Sequence, residues 1–370
     1  MRLLHTSDWH LGRSLHRADL RDAQAGFIDH LVSVVRSERV DVVLVAGDVY
    51  DRAVPPLDAI ALCERAFVQI REAGARVVVI SGNHDSARRL GFSSPLIDSS
   101  GVFLRTQVSG CATPVELDGV SVFAIPYLEP ESVRTELADA RGHVGVLTEA
   151  LARVRAVAPP TSIVLAHAWV AGGAASDSER DITVGGLSAV PPALFEGFTY
   201  SALGHLHGPQ VLSESLRYSG SPLAYSFSEA SHTKGMWLVE VSAGGLGAVE
   251  FVPAPVPRRL STLRGCLEQL LTDASVVDQE DDYLSIVLTD AARPDAAMDR
   301  LSVRFPHVLV LAHEPSGQQR SDQTYASRVS GRTDLEIAGA FVEHVRGTPG
   351  SAAELALLGE AFVAQRLVST

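Results

Sequence analysis

Apolar residues along this chain fall into short continuous runs that stop abruptly at polar clusters. Leu3–Leu4, Val42–Ala46, Val77–Ile80, Ile163–Ala166 and Tyr200–Leu203 are such runs. Without alternation, and bounded by turn residues, they predict strands buried on both faces. Between them the spacing becomes helical. Gln24–Ser37 places Phe27, Leu31, Val34 and Val35 on one face, and Leu57–Ile70 does the same with Ile60, Cys63 and Phe67, after Pro55-Pro56 as a start signal. Met236–Val241 and Val249–Val252 read as late strands around a Gly-rich turn. Strands alternating with helices predict an α/β domain.

The pattern breaks at Val252–Pro257, VPAPVP, which has linker composition, so a first domain is expected over residues 1–255. A small α+β unit follows over 256–314, with a helix at Leu263–Leu271, a strand at Tyr283–Leu288, a helix at Pro294–Phe305 and a strand at Val308–Ala312. Residues 315–331 are rich in Ser, Gln and Arg and read as a flexible tether. Two amphipathic helices complete the chain over 332–370. Thr333 or Asp334 caps the first, Leu335, Ala338, Phe341, Val342 and Val345 form its stripe, and Gly347 ends it. Ser351 with Glu354 gives a capping box for the second, whose stripe is Leu355, Leu358 and Phe362.

The polar clusters at the ends of the five runs carry the chemistry. They are HTSDWH with Asp8 and His10, GDVYD with Asp48 and Asp51, GNHD with Asn83, His84 and Asp85, the strand-end His167, and GHLH with His205 and His207. Ligands of α/β sheets bind outside the carboxyl ends of the strands. Asp8, His10, Asp48, Asn83, His167, His205 and His207 make seven nitrogen and oxygen donors without a thiolate. That set suits two divalent ions per chain, Mn²⁺ first, with Mg²⁺, Fe²⁺ or Zn²⁺ as alternatives. Asp48 is the natural bridge between them, because Gly47 lets the backbone approach closely. Such ion pairs lie ~3.5–4 Å apart and clamp a phosphoryl group undergoing in-line displacement. His84, oriented by Asp85, is expected to stay off the metals and protonate the leaving oxygen. Taken singly each motif is weak; their conjunction in this order points to one site. Asp51 reads as a supporting carboxylate, and His5 and His16 as strand and loop residues. Arg13, Arg17, Arg52 and Arg88 follow site segments and are the candidates for holding substrate phosphates.

Charge and cysteine usage adjust this picture. A formal net charge of −13 argues against a nucleic-acid partner, yet a cleft loaded with two dications is locally positive whatever the total. The three cysteines, Cys63, Cys111 and Cys266, are scattered and suggest a reducing cytoplasm. No apolar run approaches the ~20 residues of a membrane span. Asp8 lies so near the first residue that a removable leader would delete the first site strand, so none is expected.

DWH, GDVYD, GNHD, His167 and GHLH resemble the motifs of the calcineurin-like metallophosphoesterases. Within that group DWHLGRSLH, GDVYDR, SGNHDSARRL, VAGGAASDSER, LGHLHGPQ and YSGSPLAYSFSE resemble the bacterial SbcD nuclease subunits, over residues 1–255. The resemblance implies a two-sheet sandwich flanked by helices, a small capping domain and C-terminal helices that bind a partner. It implies Mn²⁺ held by Asp8, His10, Asp48 and His207 in one site and by Asp48, Asn83, His167 and His205 in the other, with His84 as catalytic acid. It further implies a homodimer, paired through helices near Leu57–Ile70 and Phe92–Ile97, joined to an SbcC-type coiled-coil ATPase as a heterotetramer on the cytoplasmic nucleoid. The activity implied is a 3′→5′ exonuclease on double-stranded DNA and an endonuclease at hairpins and blocked ends. A small-molecule phosphodiesterase with the same metals, or a silent scaffold for the ATPase, is the alternative.

Overall fold

The five apolar runs become the central strands of two six-stranded sheets in the computed structural model, which describes residues 1–180, 189–315, 332–346 and 348–368. The first sheet runs Gly245–Pro253, Gly235–Ser242, Arg2–Thr6, Val42–Ala46, Arg76–Ile80, Val102–Arg105. Its last four strands are parallel, and the Gly235–Ser242 strand joins Arg2–Thr6 antiparallel. The second runs Gln210–Val211, Leu216–Tyr218, Tyr200–Gly204, Ser162–His167, Val120–Ile125, Val115–Leu117. The four inner strands of that sheet are again parallel.

Period-two geometry sorts each strand into two cores. Leu3, Val42, Leu44, Val78 and Ile80 meet Val122, Ile163, Leu165, Tyr200 and Ala202 between the sheets. Leu4, Val43, Val45, Val77 and Val79 face outward under the helices Arg21–Ser37 and Leu57–Glu72. Helix Gly142–Arg155 covers the far side of the second sheet through Val146, Leu147, Ala150, Leu151 and Val154. The expected α/β sandwich flanked by helices is therefore the observed one, and it stacks parallel strand ends from both sheets on one side.

His5 sits between the sheets, fully buried. Its Nε2 donates to the Leu203 carbonyl at 3.1 Å, so Nδ1 is left to accept from the Tyr200 hydroxyl at 3.0 Å. Burial lowers its pKa from 6.5 to about 3, so the folded chain keeps this imidazole neutral where the unfolded chain takes up a proton. Stability is therefore expected to fall as pH drops from 6.5 toward 3, by up to ~1.4 kcal/mol per pH unit from this one group. Urea unfolding of metal-free His5→Gln across that window should give a flatter slope by about one proton; a slope equal to wild type would refute the assignment.

The chain divides into two compact units, Met1–Ser261 and Thr262–Thr370. A three-stranded sheet, Leu260–Gly265, Tyr283–Leu288 and Val308–His313, begins at the boundary and is packed by Leu267, Leu270, Leu301 and Phe305. Here one expected element is corrected. The helix read over Leu263–Leu271 is a strand to Gly265 followed by a helix at Leu267–Thr272. Leu263 and Gly265 alternate inward as strand residues, and the helix start is fixed from far along the chain, where the Asp290 carboxylate accepts the Leu267 N–H at 2.9 Å. The Pro294–Phe305 helix is shorter than its spacing suggested and runs Ala297–Arg304.

The terminal helices are Asp334–Arg346 and Ala352–Val368. Thr333 caps the first reciprocally with Glu336, and Ser351 caps the second with Glu354. Phe341, Val345, Leu357 and Val363 stay exposed. The tether read over 315–331, all but its first residue, and the stop at Gly347 lie outside the described residues. Among the described residues no helix is long and apolar enough to cross a membrane.

Candidate metal centre

Each polar cluster leaves the carboxyl end of a central strand: Thr6, Ala46 and Ile80 in one sheet, His167 and Gly204 in the other. The loops are stitched together by backbone bonds, Asp8 N–H to Gly47 O and His10 N–H to Asp48 O, both 3.0 Å. Two glycines make the crowding possible. A Cβ on Gly47 would stand 2.3 Å from His167 Nδ1, and one on Gly82 would stand 2.1 Å from Asp48 Oδ1. Asp8, His10, Asp48 and His205 all adopt positive φ, 52°, 44°, 49° and 106°, a region that is uncommon outside glycine and that Asp and His enter more readily than most residues.

All seven donors expected from the sequence converge. Ligating atoms of Asp8, His10 and His207 lie within 4.8 Å of one another, as do those of Asp8, Asp48 and His167. Asp48 Oδ2 is 3.7 Å from His10 Nε2 and 3.6 Å from His167 Nε2, which places it between the two groups. Asn83 Oδ1 stands 2.8 Å from His167 Nε2 and 3.1 Å from His205 Nδ1. Asp8, His10, Asp48, His167, His205 and His207 are buried.

The arrangement is short of positive charge. His167 Nδ1 faces the Ala46 carbonyl at 2.9 Å and must donate to it, so the neutral ring turns a lone pair toward the Asn83 oxygen. Burial drives the pKa values of His10 and His205 well down, and neighbouring imidazoles add to this. His167 is lowered too, again mainly by burial. Burial, then the Asp48 charge, pushes Asp8 up, although it accepts the His205 N–H and the Ser7 hydroxyl. Imidazoles held neutral and carboxylates crowded together present converging lone pairs, and a divalent cation is what satisfies them.

Residues 1–209 match the family model of the calcineurin-like phosphoesterases. The chain belongs to that family. Residues 256–346 match a second model, SbcD_C, the type 5 capsule protein repressor C-terminal domain. Both findings agree with the resemblance drawn from the motifs. Among solved structures, a dimetal phosphatase from Danio rerio is similar at 12% identity and TM-score 0.40, over 69% of this chain and 99% of its own. GAP50, the anchor in the inner membrane complex of Plasmodium, is similar at 11% identity and TM-score 0.40, over 87% of this chain and 99% of its own. Likenesses this distant carry no weight on function. Membership of the phosphoesterase family implies a dimetal site, and the donor set just described fits one.

Around this phosphoesterase centre several side chains depart from expectation. Asp85 does not orient His84. Its carboxylate accepts three backbone N–H groups, from Val49 at 3.1 Å, Tyr50 at 2.9 Å and Gly82 at 2.9 Å, and so ties the GDVYD turn to the GNHD turn. Burial and the Asp48 charge raise its pKa to about 7. The orienting contact on His84 comes from the Asp51 carbonyl, 2.8 Å from Nδ1. Neighbouring side chains diverge from a chain, so adjacency in sequence misled here. His84 also lies within 4.8 Å of ligating atoms of His10 and Asp48, but it is only partly buried. Arg13 turns inward, its guanidinium 5.0 Å over the Tyr225 ring and its Nη2 donating to Ser178 O at 2.9 Å. Arg17, Arg52 and Arg88 are exposed.

Sequence reasoning passed over Ser178, Glu179, Arg180, Glu229 and Lys234. Arg180 reaches the Asn83 carbonyl at 3.4 Å, and Glu179 accepts the His207 N–H at 2.7 Å. The only signal for the first four was the family-like wording of VAGGAASDSER and YSFSE, which carries no spacing of metal-type donors, and Lys234 lies beyond both stretches and had none.

Proposed function

We propose that this phosphoesterase is the Mn²⁺-dependent DNA nuclease subunit of an SbcCD-type repair complex. The reading gives it 3′→5′ exonuclease action on duplex DNA and endonuclease action at hairpins and blocked ends. The observation that carries it is the pairing, on one chain, of the phosphoesterase match over 1–209 with the SbcD_C match over 256–346. Asp8, His10, Asp48 and His207 would hold one ion, and Asp48, Asn83, His167 and His205 the other, with Asp48 shared. Two bound dications would polarise the phosphate and favour attack on it. The chain's own contributions follow from its contacts. With Nδ1 donating to the Asp51 carbonyl, His84 presents Nε2 as the atom that carries or releases a proton, which suits protonation of the leaving oxygen. Arg17, Arg52 and Arg88, being exposed, are available to DNA phosphates.

Assembly belongs to the same reading. The exposed apolar residues of the terminal helices suit docking on an SbcC-type coiled-coil ATPase. Leu57, Phe92 and Leu96, at 84%, 80% and 78% exposure, suit a homodimer contact. Phe67 is half-buried and packs on Trp9, 6.4 Å between ring centroids, so it offers less of its ring to that contact than these three. The location that goes with this role is the cytoplasmic nucleoid.

One assay tests the whole. With Mn²⁺ the protein should cut hairpin DNA in preference to a small aryl phosphodiester, and the ATPase with ATP should raise the DNA rate. Deleting residues 332–370 should keep Mn²⁺-dependent cutting of short DNA and abolish co-purification with the ATPase. Turnover confined to the aryl ester would favour a small-molecule phosphodiesterase instead. Full co-elution of the truncated chain would remove the terminal helices from the docking role.

A further inference from the structure

Two stretches without evident chemistry, Ser176–Arg180 and Phe227–Lys234, converge on one of the metal-type residues, His207. Glu229 and Lys234 form an ion pair that is 0% and 2% exposed. The Lys234 ammonium has three donors and uses all of them, on Glu229 Oε2, on the His207 carbonyl at 2.8 Å and on Ser221 Oγ at 3.0 Å. On the other side of the carboxylate, Ser178 donates its hydroxyl proton to Glu229 Oε1, and the same Ser178 oxygen lies 2.5 Å from His207 Nδ1. Glu229 Oε1 is itself 3.4 Å from His207 Nδ1.

Proton counting fixes the imidazole. A carboxylate paired with an ammonium can only accept, so the one Ser178 proton goes to Glu229. The Ser176 hydroxyl, 3.2 Å from Ser178 Oγ, spends its own proton on Glu179 Oε2 at 2.6 Å. Ser178 Oγ can therefore only accept from His207, and Nδ1 must carry the hydrogen. Nε2 is left with its lone pair, 3.1 Å from His10 Nε2. With its N–H on Glu179 and its carbonyl on Lys234, His207 is held at every polar atom except that one. His10 has no such support: its buried Nδ1 lacks a hydrogen-bond partner, and the Asp51 carboxylate stays 3.7 Å away.

We infer that Glu229, held by Lys234, is a positioning residue for His207: directly and through Ser178 it accepts the hydrogen bond from Nδ1–H and so keeps the hydrogen on that nitrogen, so that Nε2 is presented to the ion shared with His10. This rests on the dimetal reading above. A carboxylate or its relay behind a ligating imidazole typically accounts for 10–100-fold in metal affinity. The effect should fall on one ion only, because none of these contacts reaches Asn83, His167 or His205.

Two measurements on the full chain test it. In metal-free wild-type protein with isotope-labelled histidine, the nitrogen spectrum should show His207 protonated at Nδ1; protonation at Nε2 would overturn the inference. Calorimetric titration with Mn²⁺ should then give two constants for wild type. The double variant Glu229→Leu/Lys234→Met removes both charges together, since removing one would strand a buried ion. It should lose 10–100-fold at one constant and keep the other within about threefold. Ser178→Ala should move the same constant the same way by less. Equal losses at both constants, or none, would reduce the pair to a structural staple. A wild-type protein that binds no Mn²⁺ would sink the dimetal reading itself, and this inference with it.

Discussion

His84→Gln is expected to bind both Mn²⁺ ions and DNA yet cut roughly 10²–10⁴-fold more slowly than wild type, the usual worth of a positioned acid. The size of the loss separates the two roles open to an imidazole at this place. A ligand, once removed, empties a site and takes the rate to background. An acid, once removed, leaves the ions in place and slows only the departure of the leaving oxygen. His84 is tethered by the Asp51 carbonyl at Nδ1, and its backbone N–H donates to Asp48 Oδ1 at 2.8 Å. The substitution leaves that backbone bond intact. Metal content and single-turnover cleavage of the same preparation decide the matter, and a variant that has lost an ion makes His84 a ligand.

Asp48→Ala is expected to do the opposite, with cleavage at background and neither ion held at its wild-type affinity. Asp48 faces His10 on one side and His167 on the other, so its loss opens both groups. Stability gives a second readout. At a concentration one hundred times its dissociation constant an ion bound only by the folded state stabilises it by about 2.7 kcal/mol. Mn²⁺ should therefore raise the urea midpoint of wild type and leave that of Asp48→Ala unchanged. Asp48→Asn, which keeps an acceptor for the His84 N–H, controls for the backbone bond. Two ions per chain and a full rate in Asp48→Ala would remove Asp48 from the bridge.

The parts of this site legible in the sequence are those written locally. An apolar run that ends in Asp, His or Asn declares both the strand and the donor, and all five ends met as expected. Contacts chosen by tertiary packing were not legible. Asp51 and His84 are 33 residues apart, so nothing nearby could show that a carbonyl, rather than Asp85, would orient the imidazole. Ser178 and His207 are 29 apart, and serine is too common in turns to announce a relay. The misread helix at Leu263 has the same cause: its leucines fit a helix, but the pairing of Leu260–Gly265 in a sheet and the cap from Asp290 override that spacing.

The left-handed backbone at Asp8, His10, Asp48 and His205 bears on how such a chain can evolve. Backbone of this kind costs a side-chain-bearing residue up to ~1–3 kcal/mol, less for Asp and His than for most, and glycine at the same position relieves it. Selection for turnover and selection for stability therefore pull in opposite directions at the same codons. In a lineage where cutting no longer matters but the assembly does, drift would reach His10 and His205 first, because Asp8 and Asp48 also accept backbone N–H groups, from His205 and His84, that their loss would leave unpaired. A binding-only descendant would keep the sandwich and its terminal helices while its catalytic loops relax, and an intact set of four marks a chain still selected for its chemistry.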